Sequence, residues 1–427
     1  MSVIDRFYGL NAGYVLELYE RYLQDPTSVD PAARAFFEHW RPEEPSDGQR
    51  AVPVPGQAVA VNITAIVAAA NLAQSIRKHG HLAATLDPLG SPPPGDPALE
   101  PAAHGITEAD LAALPAFIVG GPVAQNARSA AEAIAALRTV YCGTIGYDFD
   151  HVQAAEERAW LTDAAESGRY QQPLTAEQQR ALLDRLTHVE TFERFLHRTF
   201  VGTKLFSIEG TDMMVPMLDA VVSDAAATGI GNVMIGMAHR GRLNVLTHVL
   251  GKPYEQMIAE FMGIREVEEA EHETSAGWWT GDVKYHLGWQ QPDQQQQVHI
   301  TVPSNPSHLE FVNPVLEGRV RAAQESRTEP GAPAQNVDRV LPILIHGDAA
   351  FPGEGVVAET LNISRLPAYQ TGGTLHIIVN NQLGYTTEPW QGRSTYYASD
   401  VARGFEIPVI HVNADDPIAC LVAARIA

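Results

Sequence analysis

Five short apolar runs in the second half of the chain constrain its fold more than any other feature of the sequence. Polar turns and helical patterns separate each run from the next. The runs are Asn232–Met237, Val298–Val302, Val340–Ile345, Thr374–Val379 and Val409–Val412. Strands that alternate with helices pair in parallel, and the sheet they form is covered on both faces. We therefore predict an α/β domain over residues 201–427, with a mostly parallel sheet flanked by helices.

The chain before this domain has different sequence patterns. Helical patterns dominate from 61 to 200, which predicts a helical domain that precedes the sheet. Residues 43–60 are rich in Pro, Gly, Ala and Val and lack a helical period, which is typical of a linker. Residues 1–42 contain two amphipathic helical patterns. We take them as a helical docking arm for a partner; a hairpin folded onto its own domain is the alternative, and the sequence favours neither.

Charge and cysteine content limit the partners and the compartment. The 51 acidic and 29 basic residues give a net charge of −22, which disfavours binding to nucleic acid or to an anionic membrane. Cys142 and Cys420 are the two cysteines, so we expect no disulfide framework and a reducing compartment. The first residues lack the pattern of a secretory or mitochondrial signal. We therefore expect a cytoplasmic location in a bacterium.

Polar side chains follow two consecutive predicted strands. Asp348 comes directly after one of them, and Asn381 follows the next. One strand–helix–strand crossover separates the two residues, so both belong to the same edge of neighbouring parallel strands. A carboxylate and an amide oxygen suit Mg²⁺, and the turn after Asp348 adds backbone N–H groups for a diphosphate. Alternatively, Asp348 only caps a helix and Asn381 only closes a turn.

The sequence around these residues resembles a known family. Gly347-Asp348-Ala349 followed by Asn380-Asn381 resembles the Gly-Asp-Gly…Asn-Asn signature of thiamin-diphosphate enzymes. Seven blocks in the correct order resemble more narrowly the E1 family of 2-oxoglutarate dehydrogenases. The blocks are 76–83, 141–146, 206–210, 236–244, 281–286, 305–310 and 411–417. The resemblance implies a thiamin-diphosphate-binding fold.

The resemblance also implies residues for the cofactor and its metal. Asp348 and Asn381 would bind Mg²⁺ through their side chains, and Leu383 through its backbone carbonyl. Ala349 and Ala350 would lie along the diphosphate. The residues expected to contact thiamin diphosphate are Arg240, His286, Ser307, Leu309, Asp348, Ala349, Ala350 and Asn381.

His239 and His286 match the active-site histidines that face the 2-oxo acid in this family. A histidine can donate a hydrogen bond to a carboxylate or carbonyl oxygen, and it can carry a proton near neutral pH. Taken without the resemblance, each would be interpreted as a structural histidine. With the resemblance, they are the expected catalytic residues.

The resemblance implies an activity and a set of partners. The activity is decarboxylation of 2-oxoglutarate on thiamin diphosphate, followed by transfer of the succinyl group to the lipoyl arm of an E2 succinyltransferase, a step of the tricarboxylic acid cycle. The E3 dihydrolipoyl dehydrogenase would be an indirect partner, and the family forms homodimers. A paralogue that acts on 2-oxoadipate shares much of the same sequence and stays an alternative.

Length is the largest departure from the family. Its members are much longer, and their second half carries a pyrimidine-binding domain with a glutamate for which this chain has no candidate. We therefore expect an N-terminal half that works with a complementary C-terminal half. The alternative is a truncated, catalytically incomplete product that at most binds the cofactor or docks a partner. Smaller departures are Asp148, Leu205 and Thr211, where the family usually has Glu, a basic residue and Gly.

Overall fold

The computed structural model describes residues 19, 21–29, 34, 37, 62–263, 285–290 and 298–427. The strands in these ranges are β1 (Ile145–Asp148), β2 (Asn232–Met237), β3 (Trp289–Gln290), β4 (His299–Val302), β5 (Glu325–Ser326), β6 (Ala334–Gln335), β7 (Val340–Gly347), β8 (Leu375–Val379) and β9 (Val409–Val412). The α-helices from Asn62 onward are α1 (Ile63–His79), α2 (Glu108–Ala113), α3 (Ala130–Tyr141), α4 (Ala155–Glu166), α5 (Ala176–Thr199), α6 (Met214–Ala227), α7 (Arg242–Asn244), α8 (Tyr254–Met262), α9 (Val312–Gln324), α10 (Ala350–Gly353), α11 (Gly355–Ile363), α12 (Asp400–Arg403) and α13 (Pro417–Ile426). None of the described helices combines the length and the apolar composition needed to cross a membrane.

A five-stranded sheet in the order β3-β4-β2-β7-β8 forms the centre of the α/β region. Strands β4, β2, β7 and β8 are parallel, and the two-residue β3 is antiparallel to β4. The central strands β2 and β7 are buried over most of their length, which explains why they are continuous apolar runs in the sequence. Helix α9 packs against both of them. The prediction of a mostly parallel sheet flanked by helices is confirmed.

The fifth predicted strand does not join this sheet. Strand β9 pairs antiparallel with β1, with Ile145 opposite Val412, and the two strands form a separate sheet. The expectation that Val409–Val412 continues the parallel sheet is therefore wrong, and β1 lies in a span where helical patterns dominate the sequence. A short apolar run indicates a buried strand but does not specify its partner. Here β1 is buried in a core that it shares with α3 and α13, and β9 packs against the same core.

Two large hydrophobic cores lie within the compact unit Asn62–Ala427. The first joins α1, α3, β1 and α13 and includes Leu72 and Leu137. The second joins α5, α6 and the strands β2, β4 and β7 and includes Leu218 and Ile343. The division of this unit at residue 200 into a helical and an α/β domain stays a prediction.

Residues Met1–Val61 form a separate compact unit. In its described part, the aromatic rings of Tyr19, Tyr22 and Phe37 contact one another, with centroid separations from 5.4 to 6.3 Å. Residues 21–24 are helical. Most of the predicted docking arm and the whole predicted linker at 43–60 lie outside the described residues.

Candidate active site

The ends of β7 and β8 form the edge at which the candidate site lies. The two strands are parallel, and their register ends with Gly347 opposite Val379. Asp348 and Asn381 therefore follow the strands at the same edge, as the crossover between them predicts. Asp348 is 3% exposed. A carboxylate buried to this extent needs a cation or hydrogen-bond donors close to it.

The cation beside Asp348 is Arg240, which follows β2, the other neighbour of β7. Arg240 Nη1 donates to Asp348 Oδ1 over 2.5 Å and to the carbonyl of Val379 over 2.6 Å. Its Nη2 donates to the carbonyl of Leu383 over 2.6 Å. A second guanidinium, that of Arg393, has Nη1 4.0 Å from Asp348 Oδ2. Oxygens from the ends of β7 and β8 thus converge on one positive charge.

We call Asp348 Oδ1 and the carbonyl oxygens of Val379 and Leu383 the oxygen cage. These three oxygens are the type of ligand atom found in a hard-cation site. Mg²⁺ takes oxygen ligands, often one or two carboxylates, and phosphate and water complete the set. Two of the predicted metal ligands, Asp348 and Leu383, belong to it. A divalent ion and the Arg240 guanidinium would use the same oxygens, so the two exclude each other.

Asn381, the third predicted metal ligand, closes a turn. Its Oδ1 accepts a hydrogen bond from the Leu383 N–H over 3.3 Å. The turn that the alternative interpretation assigned to Asn381 is therefore present. This turn orients the loop that brings the Leu383 carbonyl to Arg240. The helix-cap alternative for Asp348 is wrong, because Ala349 occupies the N-cap position of α10.

His239 and His286 form an edge-to-face pair. Their ring centroids are 5.0 Å apart with an interplanar angle of 88°, and the Phe206 ring lies 4.8 Å from that of His239. His286 Nδ1 is 3.0 Å from the carbonyl of Asn305. Because a carbonyl can only accept, Nδ1 carries the proton, and Nε2 is the nitrogen through which His286 can meet a ligand. His239 directly precedes Arg240, which places the histidine pair beside the oxygen cage.

The remaining predicted cofactor residues also follow strand ends of this edge. Ser307 and Leu309 lie on an exposed loop after β4, which is parallel to β2. Ala349 and Ala350 are half-buried at the start of α10. All four parallel strands therefore contribute predicted site residues from their carboxyl ends, the edge at which ligands bind in α/β sheets.

Family models match two parts of the chain. Residues 209–427 match the model described as dehydrogenase E1 component, and residues 7–44 match the 2-oxoglutarate dehydrogenase N-terminus. The first match covers more than half of the chain and includes the oxygen cage and both histidines. The chain belongs to the dehydrogenase E1 component family.

Curated relatives of this dehydrogenase E1 chain are named 2-oxoglutarate dehydrogenase E1 component. The chain is 50% identical to those of Bacillus velezensis over 428 residues, Bacillus subtilis over 429 residues and Geobacillus kaustophilus over 437 residues. Each alignment covers 99% of this chain but 45% or 46% of the relative. The chain thus spans about half the length of the curated relatives it matches. Membership in the dehydrogenase E1 family implies thiamin diphosphate as the cofactor.

Arg242 supports the histidine segment of the dehydrogenase E1 chain, and no sequence pattern predicted this role. The residue is 0% exposed. It donates to the carbonyls of Met237 over 3.0 Å, Leu287 over 2.7 Å and Pro303 over 2.8 Å. Burial lowers the pKa of Arg242 to about 9, which leaves the guanidinium charged at neutral pH. Arg242 therefore ties the end of β2 to the backbone beside His286.

A buried carboxylate–histidine chain supports the loop after β4, and it too was missed. Glu310 Oε2 accepts a hydrogen bond from His346 Nδ1 over 2.5 Å, and His346 Nε2 is 3.0 Å from His376 Nδ1. Burial lowers the pKa of His376 to about 3, so this ring is neutral. Glu310 has a φ of 66°, a strained conformation that the buried contact stabilises. Through this contact, the loop that contains Ser307 is held against β7. The contact is made at His346, two residues before Asp348.

Proposed function

We propose that this chain supplies the diphosphate-binding and metal-binding half of a 2-oxoglutarate dehydrogenase E1 component, which decarboxylates 2-oxoglutarate on thiamin diphosphate. The observation that carries the proposal is the oxygen cage at Asp348, with the histidine pair beside it. The names of the relatives favour 2-oxoglutarate over 2-oxoadipate as the substrate.

In this proposal, Asp348, Asn381 and the carbonyl of Leu383 would hold Mg²⁺, and the Arg240 guanidinium would leave the oxygen cage. A cation would then stay beside the buried carboxylate in both states. Arg240 would be free to donate hydrogen bonds to the diphosphate.

The other predicted cofactor contacts lie around this metal position. Ala349 and Ala350 are proposed to lie along the diphosphate, where the backbone N–H groups of their turn can donate to it. Ser307 and Leu309 are proposed on the aminopyrimidine side. His286 is proposed to contact both the cofactor and the substrate.

Thiamin diphosphate, when bound, supplies the electron sink that decarboxylation of a 2-oxo acid requires. The chain's own residues bind and orient the acid. His286, held through Nδ1 by Asn305, meets the substrate through Nε2, and His239 lies edge-on to it. Because Nδ1 carries the proton that His286 donates to Asn305, its Nε2 is an acceptor in the neutral ring and becomes a donor to the oxygens of the acid only in the imidazolium form. Phe206 and Tyr285, whose rings lie next to His239, limit its contact with water.

The proposal requires partners beyond these 427 residues. Pairing with a C-terminal half would supply the pyrimidine-binding part of the site, and a homodimer is proposed as the assembly. The succinyl group would pass to the lipoyl domain of an E2 succinyltransferase, with E3 dihydrolipoyl dehydrogenase acting afterwards. Residues 1–42 are proposed as the docking arm for E2; the match at 7–44 supports a distinct N-terminal element. The bacterial relatives support a cytoplasmic location.

Calorimetric titration with thiamin diphosphate in the presence and absence of Mg²⁺ tests the metal assignment. We expect Asp348→Ala to abolish Mg²⁺-dependent cofactor binding, because the only carboxylate of the oxygen cage is lost. Asp338→Ala is the matched control, since Asp338 is an exposed carboxylate just before β7. Equal cofactor affinity in Asp348→Ala and the unaltered chain would contradict the assignment.

A further inference from the structure

A second cluster of ligand-type side chains lies outside the oxygen cage. His81 lies in the short 3-10 turn Gly80–Ala83 after α1, Asp148 ends β1, and His411 lies in β9. One potential ligand atom of each side chain lies within 4.8 Å of those of the other two. His81 is 4% exposed and Asp148 is 1% exposed. Neither the predicted active site nor its supporting residues include any of the three.

The fold brings these side chains together through a glycine. Gly146 lies opposite His411 in the β1–β9 pair. A Cβ atom at Gly146 would lie 2.9 Å from the Cβ of His81, so the absence of a side chain there lets His81 pack across the two strands. The Tyr397 ring stacks on His411 with a centroid separation of 3.7 Å, which fixes the second imidazole. The geometry of the cluster is therefore set by backbone and ring packing.

The hydrogen bonds of His81 fix its tautomer. The Tyr397 hydroxyl donates its one proton to the carbonyl of His81 over 3.0 Å, and it lies 3.1 Å from His81 Nδ1. His81 Nδ1–H is therefore the donor to that hydroxyl, and the lone pair is on Nε2. A metal ion binds an imidazole through such a lone pair.

Asp148 lies between two basic side chains. Arg403 Nη1 donates to Asp148 Oδ2 over 2.7 Å. His151 Nδ1 lies 3.3 Å from Oδ1 without the alignment of a hydrogen bond.

Two polar atoms of the cluster are buried without a hydrogen bond. They are Asp148 Oδ1 and His411 Nε2. A buried polar atom without a hydrogen bond is unfavourable, so His411 Nε2 needs a partner to explain it, whereas Asp148 Oδ1 has only the poorly aligned His151 beside it. A cation between the imidazoles and the carboxylate would satisfy both atoms.

We propose that His81, Asp148 and His411 bind a divalent transition-metal ion of the zinc class. Two imidazoles and one carboxylate are a ligand set of zinc enzymes and of other sites that leave positions open, whereas Mg²⁺ prefers oxygen ligands. Arg403 competes with the metal for Asp148, and its side chain is 37% exposed, so it marks the route to solvent. The site does not depend on the proposed function.

Metal titration of the chain after treatment with a chelator tests the proposal. With Zn²⁺ followed by calorimetry, and Co²⁺ followed by its visible absorption, we expect one tight site per chain. His81→Asn and His411→Asn should each weaken binding at least ~100-fold, because each removes a direct ligand. His188→Asn, on the exposed face of α5, is the matched control for incidental binding by histidine and should bind as the unaltered chain does.

Arg403→Gln separates a metal site from a buried ion pair. If Arg403 competes with the ion, this variant should bind Zn²⁺ more tightly, and Zn²⁺ should raise its Tm more than that of the unaltered chain. Circular dichroism of each variant establishes that it is folded, and Asp148→Asn replaces any histidine variant that is not. Zn²⁺ binding that is the same in the ligand variants and the unaltered chain would overturn the proposal, as would weaker binding in Arg403→Gln.

Discussion

Arg240 holds the position at which a divalent ion and a diphosphate would both act. Its guanidinium donates to a carboxylate after β7 and to two carbonyls at and after the end of β8. These partners are more than 100 residues away in the sequence. The spacing of Asp348 and Asn381 could predict that both lie at one edge of the sheet, but it could not predict that Arg240 contacts this edge. Side-chain reach across a sheet edge depends on strand order, which a local pattern does not encode.

Removing the Arg240 charge is expected to reveal the metal site. Arg240→Met leaves Asp348 buried without its close cation, which should lower the free energy of unfolding by roughly 3–5 kcal/mol. Mg²⁺ alone should restore much of the lost stability and should bind more tightly than in the unaltered chain, whereas thiamin diphosphate should bind more weakly. Thermal unfolding with and without Mg²⁺ measures the stability that the variant loses and the stability that Mg²⁺ restores.

The control for this prediction is Arg365→Met. Arg365 pairs with Glu406 at the surface, where an ion pair contributes little. Mg²⁺ should leave the Tm of Arg365→Met no higher than that of the unaltered chain. If Mg²⁺ raises the Tm of Arg240→Met no more than that of this control, the guanidinium and a metal ion do not compete for the oxygen cage.

His248 makes folding stability depend on pH. Burial, together with the charges of Arg185 and His188, lowers its pKa to about 4, whereas an unfolded histidine titrates near 6.5. Below pH 6.5 the unfolded chain therefore binds a proton that the folded chain does not bind. The stability from this residue is complete above pH 6.5 and falls as the pH drops toward 4, by at most ~1.4 kcal/mol per pH unit.

We expect His248→Asn to flatten the acid side of the stability curve. Urea unfolding at pH values between 4 and 7 measures the slope for the variant and the unaltered chain. His188→Asn provides the comparison, since that side chain is 56% exposed. Parallel curves for His248→Asn and the unaltered chain would show that His248 does not carry this proton linkage.

At the scale of elements, the turn from β2 into α7 depends on Gly241. Its φ is 74°, and its N–H donates to the carbonyl of Phe206 over 3.1 Å. A Cβ atom there would lie 2.3 Å from Ile208 Cγ2 and 2.7 Å from Met214 Cε. Both the backbone and the packing therefore require glycine, directly after the two residues that enter the candidate site.

Gly241→Ala should cost about 2–5 kcal/mol of stability, the sum of left-handed strain and overpacking. Gly251 is a matched comparison, because its φ is 72° but nothing lies within 4 Å of the added Cβ. Gly251→Ala should therefore cost only about 1–2 kcal/mol, from strain alone. Urea unfolding of both variants measures the difference, and equal losses would mean that packing at Gly241 is not limiting.

Sequence patterns predicted the parallel strands well, because each is a short apolar run bounded by turn residues. Four of the five runs lie in the central sheet, and their bounds agree with the structure to within two residues. The same patterns failed for Val409–Val412, since its partner β1 lies in a largely helical stretch and contributes only four residues. Arg242 and Glu310 were missed as supports for a related reason: buried polar residues are specified by distant backbone groups.

For the whole molecule, the length of the relatives leads to a prediction about activity. This chain covers 45% of the Bacillus subtilis relative. We expect the purified chain to release no CO₂ from 2-oxoglutarate, and we expect activity when a complementary C-terminal half is supplied. The same mixture made with Asp348→Ala should stay inactive. Turnover by the unaltered chain alone would show that these 427 residues contain a complete site.

The position of β8 at the end of the sheet order has a consequence for handling the protein. In the described part of the chain, β8 is hydrogen-bonded to a strand on one side only, and its run Leu375–Val379 is apolar except for His376. Such an edge offers a template for strand addition by another copy. A net charge of −22 keeps copies apart at low ionic strength, but salt screens that repulsion. The colloidal behaviour of the isolated chain is therefore governed by salt, and dilute low-salt buffer is the condition that keeps it dispersed.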